Sequence, residues 1–206
     1  MGMVAGFASV SDATIERLLA DPPLVWLVLA PDDPEAYERA RQREADDAKP
    51  GFVSRLFGAK APPPKHSNAS LPLGDGEGDV GDIDKSWHGI HFLLTGGPDE
   101  GNAPLDFLVA GGEVVGDEDV GYGPARAFTS TETKAIASAL AALSDDDLRR
   151  RYAPDAMMKA EIYPEIWDRT PPQDDPLGYL MEYVKVIRDT LATVTARGHG
   201  LLVYLC

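Results

Sequence analysis

Residues 176–205 read PLGYLMEYVKVIRDTLATVTARGHGLLVYL, and the fold turns on this stretch. Leu180, Tyr183, Val184, Ile187, Leu191 and Val194 recur at spacings of three and four, which draws one apolar stripe along a helix from Pro176 to Ala196. Arg197-Gly198 closes that helix. Leu201 to Leu205 is then a near-continuous apolar run with no polar alternate position, the pattern of a strand buried on both faces. A long one-sided helix leading into a doubly buried strand predicts an α/β protein. The expectation is one compact domain over residues 1–206, a mixed β-sheet flanked by helices, with the C-terminal strand central in the sheet.

Moving outward, Met3 to Val10 reads as a strand, and Ser11 can cap a helix that carries Ile15, Leu18 and Leu19 on one face. Asp21-Pro22-Pro23 is a second start signal, and Leu24 to Leu29 is read as helix in preference to strand. Asp33-Pro34 precedes Glu35 to Asp46, a highly charged and therefore exposed helix. From about residue 49 to 82 the composition shifts to Pro, Gly, Ser and Asp, too poor in apolar surface to offset its ordering entropy. This predicts a flexible insertion, with Phe52, Val53, Leu56 and Phe57 spaced for one or two docking turns.

Asp84 is placed to cap a helix running to about Thr95, ended by Gly96-Gly97. Pro104 to Ala110 reads as a short helix, Glu113 to Val115 and Ala125 to Phe128 as short strands around a glycine-rich turn. Thr129 or Ser130 caps an Ala-rich helix, Ser144 caps another, and Pro154 begins a third.

Composition narrows the function classes. Lys plus Arg number 19 against 34 Asp plus Glu, a net charge of −15 that repels phosphate backbones. Nucleic acid is excluded as the expected partner, and a basic protein surface is the electrostatically favoured one. With Cys206 as the single cysteine, no intramolecular disulfide can form and a reducing compartment fits best. No run approaches the length of a membrane span and no basic-then-apolar leader opens the chain, so the expected location is the cytoplasm, without a membrane. Oligomeric state is left open.

Familiar chemistry fails on inspection. Arg126 fills the third glycine's place in a GxGxxG reading of Gly121 and Gly123, and Val80 and Ser86 break a calcium-loop reading of the run Asp75, Glu77, Asp79. Neither GxSxG nor a phosphate-loop lysine is present, so no cofactor is assigned. His88 and His91, three apart on one helix, could share a metal or a proton-transfer task. Without a third ligand at metal spacing no metal is assigned, and each ring packing beside Trp87 with locally satisfied nitrogens is the stronger reading. Tyr122 and Arg126 bracket a tight turn where they would grip an anion or merely pin an acidic loop. Glu161 stands beside Tyr163 and Trp167, which would line a pocket or cover the core.

Three segments taken together resemble a known family: Asp84-Lys85-Ser86-Trp87-His88-Gly89-Ile90-His91-Phe92-Leu93-Leu94-Thr95-Gly96, then Gly121 to Arg126, then Ala160 to Trp167. They are similar to the YfbM-like family of bacterial proteins, as are the opening Met1-Gly2-Met3 and the ending Leu201 to Leu205. The resemblance implies a compact mixed-sheet domain with helices on its faces, cytoplasmic in bacteria, with no assigned role; the insertion departs from it. Two functions are carried forward. The first is a protein-binding or regulatory module, immunity-like, acting through its acidic surface. The alternative is an enzyme or small-anion binder, with His88, His91 and Glu161 catalytic and Asp84, Lys85, Trp87, Tyr122, Arg126, Tyr163 and Trp167 lining the ligand.

Overall fold

The computed structural model describes residues 2–47, 70–99, 101–172 and 174–206. Strand β1 (Ala5–Val10) leads into helix α1 (Asp12–Ala20), a 3-10 turn (Pro22–Leu24), α2 (Val25–Leu29) and α3 (Pro34–Asp47). Then come β2 (Val80–Asp82), a 3-10 turn (Asp84–Ser86), α4 (Trp87–Thr95), β3 (Glu113–Asp119) and β4 (Pro124–Phe128). Helices α5 (Ser130–Ala141), α6 (Asp145–Arg151), α7 (Pro154–Lys159) and α8 (Pro176–Ala196) follow, and β5 (Gly200–Leu205) is the final strand.

Among the described residues five strands form one sheet in the order β2-β1-β5-β4-β3, so β5 is central as its apolar run requires. Among the described residues every pairing is antiparallel, which corrects the mixed sheet expected: β3 and β4 make a hairpin, and β5 runs against both β1 and β4. Alternation along the strands sends side chains to two cores. Ala5, Phe7, Phe128, Leu201 and Val203 meet α4, α5 and α8, whose buried stripe includes Leu180, Val184, Ile187, Leu191 and Val194. Ala8, Val10, Ala125, Ala127 and Leu202 face Ile15 and Leu18 of α1 and Val25 and Val28 of α2. The sheet is thus sandwiched between helical layers, an α/β domain.

Several boundaries moved for identifiable reasons. Phe52, Val53, Leu56 and Phe57, like residues 48–69 as a whole, lie outside the described residues. The far end of the expected insertion is tied to the body, contrary to the expectation of a flexible stretch up to 82. Gly78 donates its N–H to the Ser9 carbonyl at 2.8 Å, Arg197 pairs with Asp79 at 2.6 Å, and Val80–Asp82 adds edge strand β2. Glu77 accepts from the Ser11 and Gly74 amides at 2.6 and 2.5 Å. Burial by itself would raise its carboxyl, but bonds from Thr14, Ser11 and Gly74 outweigh this and hold it at about 2.

Asp84 does not cap α4. It sits at φ 47° in the preceding turn, its carboxylate accepting the Tyr179 hydroxyl, and the Ser86 hydroxyl bonds back to the Ile83 carbonyl. Pro104 to Ala110 forms successive turns instead of a helix: the Leu105 amide returns to Asn102, the Val109 and Ala110 amides both return to Asp106, and the Leu108 and Ala110 carbonyls accept from the Arg126 guanidinium. Gly96 does end α4, in the left-handed conformation at φ 86°.

Of the two candidate caps for α5, Thr129 is the one used. Its hydroxyl takes the Glu132 amide while Glu132 returns to the Thr129 amide, whereas Ser130 bonds Asp12 of α1. Thr129→Ala is expected to cost about 1 kcal/mol in urea unfolding, and Ser130→Ala appreciably less. Equal effects would show that the reciprocal cap is not what starts α5.

Candidate functional site

Two of the segments that resemble the YfbM-like family, residues 84–96 and 160–167, come together around the start of α4, where most of their polar atoms are already engaged, while the third, residues 121–126, forms the β3–β4 turn elsewhere on the sheet. The Trp87 and His88 rings stack at 4.8 Å, and Tyr163 lies 6.1 Å from Trp87. His88 has one nitrogen, Nε2, 3.0 Å from the Pro98 carbonyl, which can only accept, and the other, Nδ1, takes the Tyr163 amide at 3.0 Å. That pattern suits a neutral ring with its proton on Nε2. Burial pushes the His88 pKa down, against the opposing pull of Pro98 and Asp99. The ring works as a staple between α4 and two loops. Trp87 donates to the Met3 carbonyl at 3.3 Å, and the Lys85 and Tyr163 side chains close over Gly2.

His91 is a different case. It is 0% exposed, and neither ring nitrogen has a hydrogen-bond partner among the described residues. Burial first, then the neighbouring His88 and, last, the positive Arg126 lower its pKa, while Asp106 and Asp99 oppose them. Spacing of three on a helix therefore does not make a shared centre here: one ring is spent on backbone and the other is in the core.

Arg126 donates to the carbonyls of Leu108, Ala110 and Gly111 and lies 5.6 Å over the Phe128 ring. Burial brings its pKa down to about 10. Tyr122, at the hairpin turn, is 51% exposed, and its amide bonds the Leu205 carbonyl. Glu161 is an exposed turn residue at φ 52°, with no side-chain polar partner among the described residues. Trp167 is core: its indole N–H bonds the Ile162 carbonyl at 2.6 Å, and its ring lies against Gly89 of α4. His88, His91 and Glu161 are thus not joined by any hydrogen bond into an acid/base set.

The surface that does converge extends outward from Asp84. Its Oδ2 accepts the Tyr179 hydroxyl at 3.0 Å, and the Tyr179 ring meets Tyr183 edge to face at 5.2 Å. Burial raises the Tyr183 phenol, and the negative fields of Asp84, Asp82 and Glu182 raise it further. Tyr179 is shifted upward by burial and then by Asp84. Two aromatic rings thus stand among three carboxylates beside edge strand β2. The sequence signal lies in Tyr179 and Tyr183, four apart on a helix, although Tyr183 also falls within the apolar stripe that marks the helix.

This antiparallel α/β architecture places the chain in a defined class. Residues 1–204 match the family described as Domain of unknown function (DUF1877), and the chain belongs to that family. Among solved structures it is similar to the crystal structure of YfbM from Escherichia coli, a protein of unknown function. The two share 18% identity and a TM-score of 0.62, over 98% of this chain and 99% of that one. At that identity the likeness establishes the fold, in agreement with the resemblance carried by residues 84–96, 121–126 and 160–167. No curated protein matches the sequence.

Proposed function

We propose that this protein is a bacterial, cytoplasmic binding module of the regulatory, immunity-like kind, which docks a basic protein surface onto its acidic one. The observation that carries this reading is the patch of Asp82, Asp84, Tyr179, Tyr183 and Glu182. Carboxylates attract a lysine or arginine head over distance, and tyrosine ring faces hold it at contact through their quadrupole. A net charge of −15 extends the attraction beyond the patch. The lone Cys206, whose thiol burial pushes upward, is compatible with a reducing compartment, and no helix of the described residues is long and apolar enough to cross a membrane.

The test is calorimetric titration of the full chain with an arginine- and lysine-rich peptide. Binding should weaken as salt rises, and Asp82→Asn with Tyr183→Ala should lower affinity about tenfold or more. Glu35→Asn with Glu38→Asn, acids on α3, serve as the charge control and should change affinity little. If the control pair weakens binding as much as the patch pair, or if salt has no effect, the patch is not the docking surface.

A further inference from the structure

The opposite edge of the sheet bears a second feature, independent of the tyrosine patch. Between α3 and the β3–β4 turn lies an open groove of about 300 Å³, lined by Trp26, Ala36, Arg39, Arg43, Asp119 and Val120 among others. That is the lower end of the volumes that hold small ligands. One wall offers guanidinium donors and the other a carboxylate.

Arg39 and Arg43 stand one helical turn apart on α3, on a protein whose surface is otherwise dominated by acids. Arg39 is held by Asp33 at 2.7 Å and Glu35 at 3.4 Å, and Arg43 by Glu118 at 2.5 Å. These pairs use the terminal nitrogens of Arg39 and one terminal nitrogen of Arg43, so each guanidinium is positioned yet keeps N–H donors to offer. Facing them, Asp119 uses a single oxygen, Oδ1, to take the Gly121 and Gly123 amides at 2.9 and 3.0 Å. Its other oxygen has no hydrogen-bond partner among the described residues. Trp26 is fixed by its own N–H, which donates to Glu118 at 2.8 Å, and Ala36 and Val120 add buried apolar surface.

We infer that this groove binds a small zwitterion with an apolar body, of amino-acid to dipeptide size. The ligand's carboxylate meets Arg39 and Arg43, its ammonium meets Asp119, and its apolar body lies against Trp26 and Val120. A ligand with one charge would leave one wall unanswered. A groove of about 300 Å³ leaves no room for a peptide much longer than two residues.

The experiment is an NMR titration of the full chain with phenylalanine, leucine and phenylalanyl-leucine, following the Trp26 indole N–H and the Gly121 and Gly123 amides. Saturating shifts should centre on these three signals. Phenethylamine and hydrocinnamate, each with one of the two charges, should bind about tenfold more weakly. Asp119→Asn keeps an acceptor for the two glycine amides, so the turn survives. It should cost phenylalanine about tenfold in affinity while leaving hydrocinnamate unchanged. Shifts that are absent up to the solubility of the ligands, that scatter over the surface, or that Asp119→Asn weakens equally for both ligands overturn the inference.

Discussion

Trp167→Ala is expected to cost the fold about 3–5 kcal/mol, enough to threaten a domain of ordinary stability. The indole is 1% exposed and lies on α4 where Gly89 has no side chain, so its removal opens a cavity that the helix backbone cannot close. The Ile162 carbonyl also loses its donor. Urea unfolding followed by circular dichroism measures the loss. Trp167→Phe should recover most of the packing and forfeit chiefly the hydrogen bond. A Trp167→Ala variant within about 1 kcal/mol of the parent would show that the ring is not structural, and would return it to the list of ligand contacts.

The second large effect concerns His91. A buried imidazole with two unpartnered nitrogens leaves unmet a desolvation cost that an apolar side chain would not incur. His91→Leu should therefore stabilise the protein at neutral pH by about 1–3 kcal/mol. The acid response follows from the same burial. The folded-state pKa is lowered, so below the unfolded value of about 6.5 the unfolded chain binds a proton that folded His91 refuses. Stability is then full above that pH and drains away as pH falls toward the folded pKa, by up to about 1.4 kcal/mol per pH unit for each such ring. His88, shifted the same way, contributes a slope of its own that remains in the variant. Urea midpoints across pH 5 to 8 should be flatter for His91→Leu. An unchanged slope, or a less stable variant at pH 8, refutes the assignment.

The architecture was readable because its signals are local and redundant. The α8 stripe, the β5 apolar run, the Gly96 terminus and the capping box at Thr129 each depend on residues within a few positions of one another. Strand β2 was missed because it is three residues long, exposed, and set in a Gly- and Asp-rich stretch; its identity comes from pairing with β1, which no local pattern encodes. The Pro104–Ala110 segment shows the same limit, since it is fastened by an arginine on β4, a partner that local spacing does not reveal.

The site was legible only in part. Spacing put His88 and His91 on one helix and their residue types suggested chemistry, but which nitrogen meets which carbonyl is a tertiary fact. The preference for locally satisfied rings describes His88 well and His91 not at all. Trp167 and Arg126 advertise function by type, yet one fills the core and the other fastens a loop. Arg39, Arg43 and Asp119 carry no motif, and only the packing of α3 beside the hairpin turn brings them face to face.

The position of β5 also sets the order in which this protein can be born. Val10 pairs with Gly200 and Ala5 with Leu205, so the two strands that meet at the middle of the sheet are separated along the chain by nearly every other element. Until residues 200–205 have cleared the ribosome, β1 holds only the short β2, while the β3–β4 hairpin has no neighbour between itself and β1. Helices α1 to α8 can form as they emerge, but the layer they are meant to cover closes last. For that interval the nascent chain exposes two unpaired strand edges. Chaperones would find their substrate in that window, and an arrest or deletion near residue 200 would release a chain with all its helices and no completed sheet.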